Sequence, residues 1–169
     1  MRTELFWVQG PWLGRLAIMP RPRGGDWLED EVRSWRRSGA DVVLSLLTQD
    51  EMTDLGLADE EALCRANGIE FLSFPILDRG VPSSKEAAAE LVTRLAQCLT
   101  DGKTIAIHCR QGIGRAALIA VCLFVLFGID PETAIQQVSA ARGWPVPETL
   151  EQRRWITEFA KAPMDPFPK

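Results

Sequence analysis

The chain has a single histidine and only four cysteines, Cys64, Cys98, Cys109 and Cys122. None of the four forms a Cys-x-x-Cys pair, and one imidazole cannot complete a Cys/His zinc set, so no metal is expected. Lysine is scarce, four against fifteen arginines, and the net charge is -4. Without a global basic field, nucleic acid is not an expected partner. Long apolar runs are missing too: the longest, Ala116 to Phe127, has twelve residues. A membrane span needs about twenty, so this run reads as a buried core helix. The opening stretch, MRTELFWVQGPW, has no basic segment followed by an apolar one. No secretion signal is therefore expected, and a reduced cytoplasmic chain is the default.

What remains fits one domain over residues 1–169, with 46% hydrophobic residues to build a core. Strands are expected at Leu5–Gln9, Arg15–Met19, Asp41–Leu47, Ile69–Ile76 and Lys103–His108. Asp26 with Glu29 forms a capping-box pattern for a helix that buries Leu28, Val32 and Trp35 and stops near Gly39. Ser83 with Glu86 opens a second helix, with Ala88, Leu91, Leu95 and Cys98 on one face. Asp130-Pro131 opens a third that ends near Gly143, and a last helix runs from about Thr149 to Ala160. Strands alternating with helices predict an α/β fold with a central, mostly parallel sheet flanked by helices. The stretch 103–108 is apolar almost throughout, as a strand covered on both faces would be.

That strand delivers its carboxyl end to the loop HCRQGIGRA, residues 108 to 116, where open α/β sheets place their ligands. Gly112 and Gly114 permit turns in which successive N–H groups face one concavity. A helix beginning near Gly114 offers its positive end to an anion, and Arg115 adds a fork suited to two phosphoryl oxygens. Cys109 lies at the mouth of this nest, and a field that holds a phosphate dianion also holds a thiolate. Gly112 to Ala117 also satisfies a dinucleotide fingerprint, but no second strand ending in an acidic residue follows at the required distance. An inert core cysteine is the common fate of a cytosolic thiol; the neighbours Arg110, Gln111 and Arg115 argue against it. His108 adjoins Cys109 along a strand, where neighbours point to opposite faces, so it is a poor base and a better partner for the loop backbone.

Cys109-x5-Arg115 preceded by His108 resembles the signature of cysteine-based protein phosphatases. With FPILDRGVPS (Phe74 to Ser83) upstream and ETLEQ (Glu148 to Gln152) downstream, the chain is similar to their dual-specificity branch, and within it to the kinase-associated group. The resemblance spans about Arg15 to Phe159. It implies a dual-specificity phosphatase-like fold, no cofactor, and a phosphorylated protein or peptide as substrate. By that resemblance Cys109 is the nucleophile, Asp78 the general acid and base, and Arg115 with the loop from Arg110 through Gln111, Gly112, Ile113 and Gly114 the phosphate cradle. Gln152 matches a position that orients the hydrolytic water, although Thr149-x-x-Gln152 is equally a capping box. Arg142 reads as a solvated helix-end residue or as a contact for a second anionic group. Arg79 and Arg110 would flank the pocket. Asp78 alone would read as a turn residue.

The pattern departs from most relatives at Ala116, where a Ser or Thr hydroxyl usually eases loss of the cysteine thiolate. The phosphatases of regenerating liver also have alanine there. Slow turnover through a trapped phosphocysteine is therefore expected, and a phosphate-reading pseudophosphatase is an alternative. A phosphoinositide phosphatase is another, although the loop lacks the lysines common in that group. The absence of tyrosine excludes the Tyr-bearing recognition loop of the larger tyrosine-specific enzymes. A rhodanese-type sulfurtransferase would also cradle a cysteine before a helix, but the loop length and the upstream Asp segment suit phosphoryl transfer better.

Overall fold

The computed structural model describes residues 2–162, so both ends of the expected 1–169 domain lie outside the described residues. Five strands form one sheet: β1 (Phe6–Val8), β2 (Arg15–Met19), β3 (Val42–Ser45), β4 (Glu70–Ser73) and β5 (Thr104–His108). Their order is β1-β2-β5-β3-β4, with β1 antiparallel to β2 and the other neighbours parallel. Seven α-helices follow in chain order: α1 (Leu28–Arg37), α2 (Gln49–Asp54), α3 (Glu60–Ala66), α4 (Lys85–Thr100), α5 (Arg115–Leu126), α6 (Pro131–Arg142) and α7 (Leu150–Lys161). The fold is the expected helix-flanked, mostly parallel sheet.

β5 lies at the centre, and all five of its residues are buried. Ile105 and Ile107 face a cluster built with Val92, Leu95 and Leu99 of α4, with α5, and with Ile135 and Ile156 of α6 and α7. Ala106 faces the other way, toward Leu28, Val32 and Trp35 of α1 and Cys64 of α3. The apolar run after the loop becomes α5, buried on all sides, and only Val125 in the helix is less than fully covered. That explains why it shows no amphipathic stripe. Among the described residues no helix is long and apolar enough to cross a membrane.

Several boundaries differ from expectation for identifiable reasons. β4 ends at Ser73 because the register slips across Pro75: the Phe74 amide still bonds the Ser45 carbonyl, but the Ile76 amide bonds that of Leu46, one residue short of the ladder. β3 starts after Asp41, whose side chain accepts the Thr104 amide at 2.9 Å. The capping box at Asp26 and Glu29 does not form. Asp26 instead sits in a 3-10 turn (Gly25–Trp27), entered by Gly25 at φ 59° and tied by the Gly25 amide to the Gly56 carbonyl. α4 is capped by Ser84, not Ser83: the extended Ser84 accepts the Ala87 amide at 3.1 Å. Its buried face turns slightly, taking in Val92, Ala96 and Leu99 and leaving Leu91 half-buried. Asp130, Pro131 and a left-handed Gly143 bound α6 as expected, and Thr149 opens α7. α2 and α3 are additional to the expected elements.

Candidate active site

The loop between β5 and α5 has a shape that its residue types dictate. Gly112 has φ 76°, and a Cβ there would meet the Met19 carbonyl carbon at 2.8 Å and the Pro20 nitrogen at 3.0 Å. Left-handed backbone and close approach both call for glycine. The Gly112 amide donates to Cys109 Sγ at 3.3 Å. Gly114 is a different case from the expectation. Its φ is -114°, outside the left-handed region, and its side-chain space is taken by the Glu148 carboxylate and the Gln152 amide.

Arg115 opens α5 and is 2% exposed. Its terminal nitrogens are fully engaged. Nη1 donates to Glu51 Oε2 and to the Ile76 carbonyl, both at 2.8 Å. Nη2 donates to Glu51 Oε1 at 2.9 Å and to Asp78 Oδ1 at 3.0 Å. Glu51, which sequence reasoning missed, therefore grips the guanidinium fork-to-fork. α2 holds this carboxylate in place: the Thr48 amide donates to Glu51 Oε2, and the Glu51 amide to Thr48 Oγ1, a complete capping box. Burial alone would raise the Glu51 pKa. The bonds from Arg115, the Thr48 amide and Arg110 outweigh that and bring it to about 2. Burial likewise works against the Arg115 charge, but Glu51, Cys109 and Asp78 more than offset it and push its pKa up.

Cys109, Arg115 and Asp78 open onto one cavity of about 170 Å³, which Arg79, Arg110, Gln111, Gly114 and Glu148 complete. Asp78 reaches it from the loop after β4. The next residue, Arg79, has φ 60° and pairs with Glu148 at 2.8 Å, before α7. Arg110 leans on Glu51, with Nε 3.3 Å from Oε1. Gly112 shapes the loop from behind, and Ile113 turns to pack against the core.

His108 points to the opposite face from Cys109, as strand alternation requires. It is fully buried, with Nδ1 3.4 Å from the Cys109 carbonyl and Nε2 2.6 Å from Glu60 Oε1. Gln152 lies outside the cavity lining. Its Oε1 accepts the Thr149 amide and its Nε2 donates to the Gly80 carbonyl, so the capping box forms and also reaches the Asp78 loop. Arg142 is not a solvated helix end: it donates to the Gln111 carbonyl at 3.1 Å and covers the Phe6 ring at 4.0 Å. Glu51 was legible in principle, because Thr48-x-x-Glu51 is a capping-box pattern. Its partner in Arg115, 64 positions away, was not.

The chain matches the family model for the DSP-PTPase phosphatase of polymorphic toxin systems over residues 17–128, the segment that holds Asp78 and the whole loop. It is 28% identical over 134 residues to the Cyclin-dependent kinase inhibitor 3 of Rattus norvegicus, covering 78% of this chain and 63% of that protein. It is also 27% identical over 161 residues to the Putative tyrosine phosphatase 197R of Invertebrate iridescent virus 6, covering 92% of this chain and 56% of that protein. The chain thus spans less than two thirds of the length of these relatives. A crystal structure of kinase associated phosphatase, with serine substituted for its catalytic-site cysteine, superposes with a TM-score of 0.86 at 22% identity over 94% of each chain. The superposition shows a shared fold, and the family match over residues 17–128 assigns the chain to the DSP-PTPase family, the dual-specificity branch of the cysteine-based protein phosphatases.

Proposed function

We propose that the protein hydrolyses phosphotyrosine, phosphoserine or phosphothreonine in a phosphoprotein, through a phosphocysteine on Cys109. The observation that carries this reading is one small cavity onto which a thiol, a guanidinium and a carboxyl group all open. In the first step the Cys109 thiolate forms an S–P bond while the P–O bond to the leaving group breaks, and Asp78 gives its proton to that oxygen. In the second, water attacks phosphorus, the S–P bond breaks, and Asp78 takes the proton, releasing inorganic phosphate. Loop amides from Arg110 to Arg115 and the Arg115 guanidinium hold the equatorial oxygens throughout.

A two-pronged grip on a phosphoryl group through Arg115 Nε and Nη2 displaces a partner from Nη2, because the four terminal N–H groups are engaged while no bond among the described residues occupies the Nε–H. Asp78 is the replaceable one: its side chain is 51% exposed, whereas that of Glu51 is 10% exposed. Substrate arrival therefore exchanges Asp78 for a phosphoryl oxygen on Nη2. This exchange frees the carboxyl group beside the leaving oxygen. Four free cysteines agree with a reducing, cytoplasmic setting for a thiol enzyme.

A rapid time course of aryl phosphate hydrolysis tests the reading. A burst equal to the enzyme concentration, absent in Cys109→Ser and blocked by vanadate, is the expected result. Asp78→Ala should lower the rate on phosphoserine peptide by roughly 10²–10⁴. An undiminished rate there would remove Asp78 from the mechanism. Vanadate binding without any product would make the chain a phosphate reader, a reading that Ala116 favours.

A further inference from the structure

Two carboxylates lie fully buried outside the cavity. Glu31 is matched by Arg23 at 2.5 Å and by the Thr3 amide at 3.1 Å. Glu60, the first residue of α3, bonds neither arginine nor lysine: Oε1 lies 2.6 Å from His108 Nε2, and Oε2 has no partner. The chamber around the pair sits beneath the loop. Met19 and Ser45 are the register neighbours of His108, and the Trp35 ring lies 6.3 Å from the imidazole with its own Nε1–H buried and unpartnered. Cys64, one turn along α3, adds no charge: burial and the nearby Glu60 push its pKa up to about 12.

The proton inventory of this chamber is constrained. Both His108 nitrogens face oxygen, the Glu60 carboxyl on one side and the Cys109 carbonyl on the other. A carbonyl only accepts, and a neutral imidazole has one N–H. A hydrogen on Nδ1 makes the 3.4 Å approach to the Cys109 carbonyl a donor–acceptor pair, and Nε2 and Oε1 then share one further proton, whichever atom holds it. The orphaned Oε2 gives the pair no second donor. We infer that Glu60 is a positioning residue: its shared proton fixes the His108 ring with Nδ1–H toward the Cys109 carbonyl and so holds the strand-to-loop turn that presents the thiol. The kinetic consequence rests on the proposed role of Cys109; the proton assignment does not.

Because His108 is the only histidine, ¹⁵N-histidine labelling gives one imidazole pair, readable without assignment. The expected wild-type spectrum shows a protonated Nδ1. Glu60→Gln should keep it, since a carboxamide N–H can donate to Nε2, and kcat should stay close to wild type. Glu60→Leu should lose the Nδ1–H signal to ring averaging and lower kcat on the order of 10–100-fold, the usual cost of losing a group that orients a site side chain. KM and vanadate affinity should hold. A bare Nδ1 in the wild type overturns the inference whatever the variants do, and so does wild-type kcat in Glu60→Leu. Full activity in Cys109→Ser would instead sink the proposed function and leave the spectrum to stand alone.

Discussion

Ala116 is fully buried in the first turn of α5 and brings no hydroxyl to the loop beside it. One missing transition-state hydrogen bond, worth about 1–2 kcal/mol, slows breakdown of a phosphocysteine by about 5–30-fold. Ala116→Ser should therefore raise steady-state turnover by that factor and leave the burst amplitude unchanged. Equal turnover in both proteins would show that S–P cleavage is not limiting. Glu51 makes a different single-residue prediction. Its pKa falls from 4.5 to about 2 on folding, so its contribution to stability is fully present above about pH 4.5 and is lost as pH falls toward 2. The loss is on the order of 3 kcal/mol. Urea midpoints measured across that window should drop in the wild type and drop less in Glu51→Gln. The meeting of Cys109, Arg115 and Asp78 at one cavity was legible because they lie in one short span and one loop upstream of it. The partners of Glu51, Glu60 and Glu148 were not, since they lie 64, 48 and 69 positions away, and nothing local records such distances.

At the level of elements, the loop before α5 depends on one backbone conformation. Gly112→Ala adds roughly 1–2 kcal/mol of left-handed strain and drives a methyl group into the backbone at Met19 and Pro20. The loop must move away from its amide-to-sulfur contact. Vanadate inhibition should weaken and activity fall while the far-UV circular dichroism stays native; unchanged inhibition would mean that the loop tolerates the shift. β2 was placed to the residue and β5 to within one, because an apolar run bounded by turns and charge fixes a buried strand. α5 was equally plain as a solid apolar run. α2 escaped because it is short and mostly polar, and α3 because it spans only seven residues. In α2, Met52 alone packs against the core, so no helical period exists to find. The caps of α1 and α4 were misplaced because Gly25 and neighbouring serines left more than one local solution.

Across the whole molecule, the sheet keeps the thiols apart. Cys64 belongs to the cluster under one face and Cys109 to the cluster under the other. Cys98 sits beside the start of β5, its carbonyl accepting the Lys103 amide, and Cys109 lies just past the end of that strand. Five residues of strand separate them by roughly 16 Å, against a disulfide limit of about 7 Å between Cα atoms. Cys122 is two helical turns beyond the loop. Peroxide treatment should therefore oxidise Cys109 without forming an internal disulfide, which intact mass under non-reducing conditions will show. A loss of two hydrogens in a folded, monomeric product would contradict it. The same long-range architecture fastens the segment carrying Asp78. Arg79 grips Glu148 and the Gly80 carbonyl accepts from Gln152, so this irregular stretch is stitched at two points to the start of α7. In the proposed cycle, passing from rest to work then takes the rotation of one carboxylate, not the travel of a flap through water. Solvent friction has little to brake here, and the pace of the cycle is left to bond-making and bond-breaking.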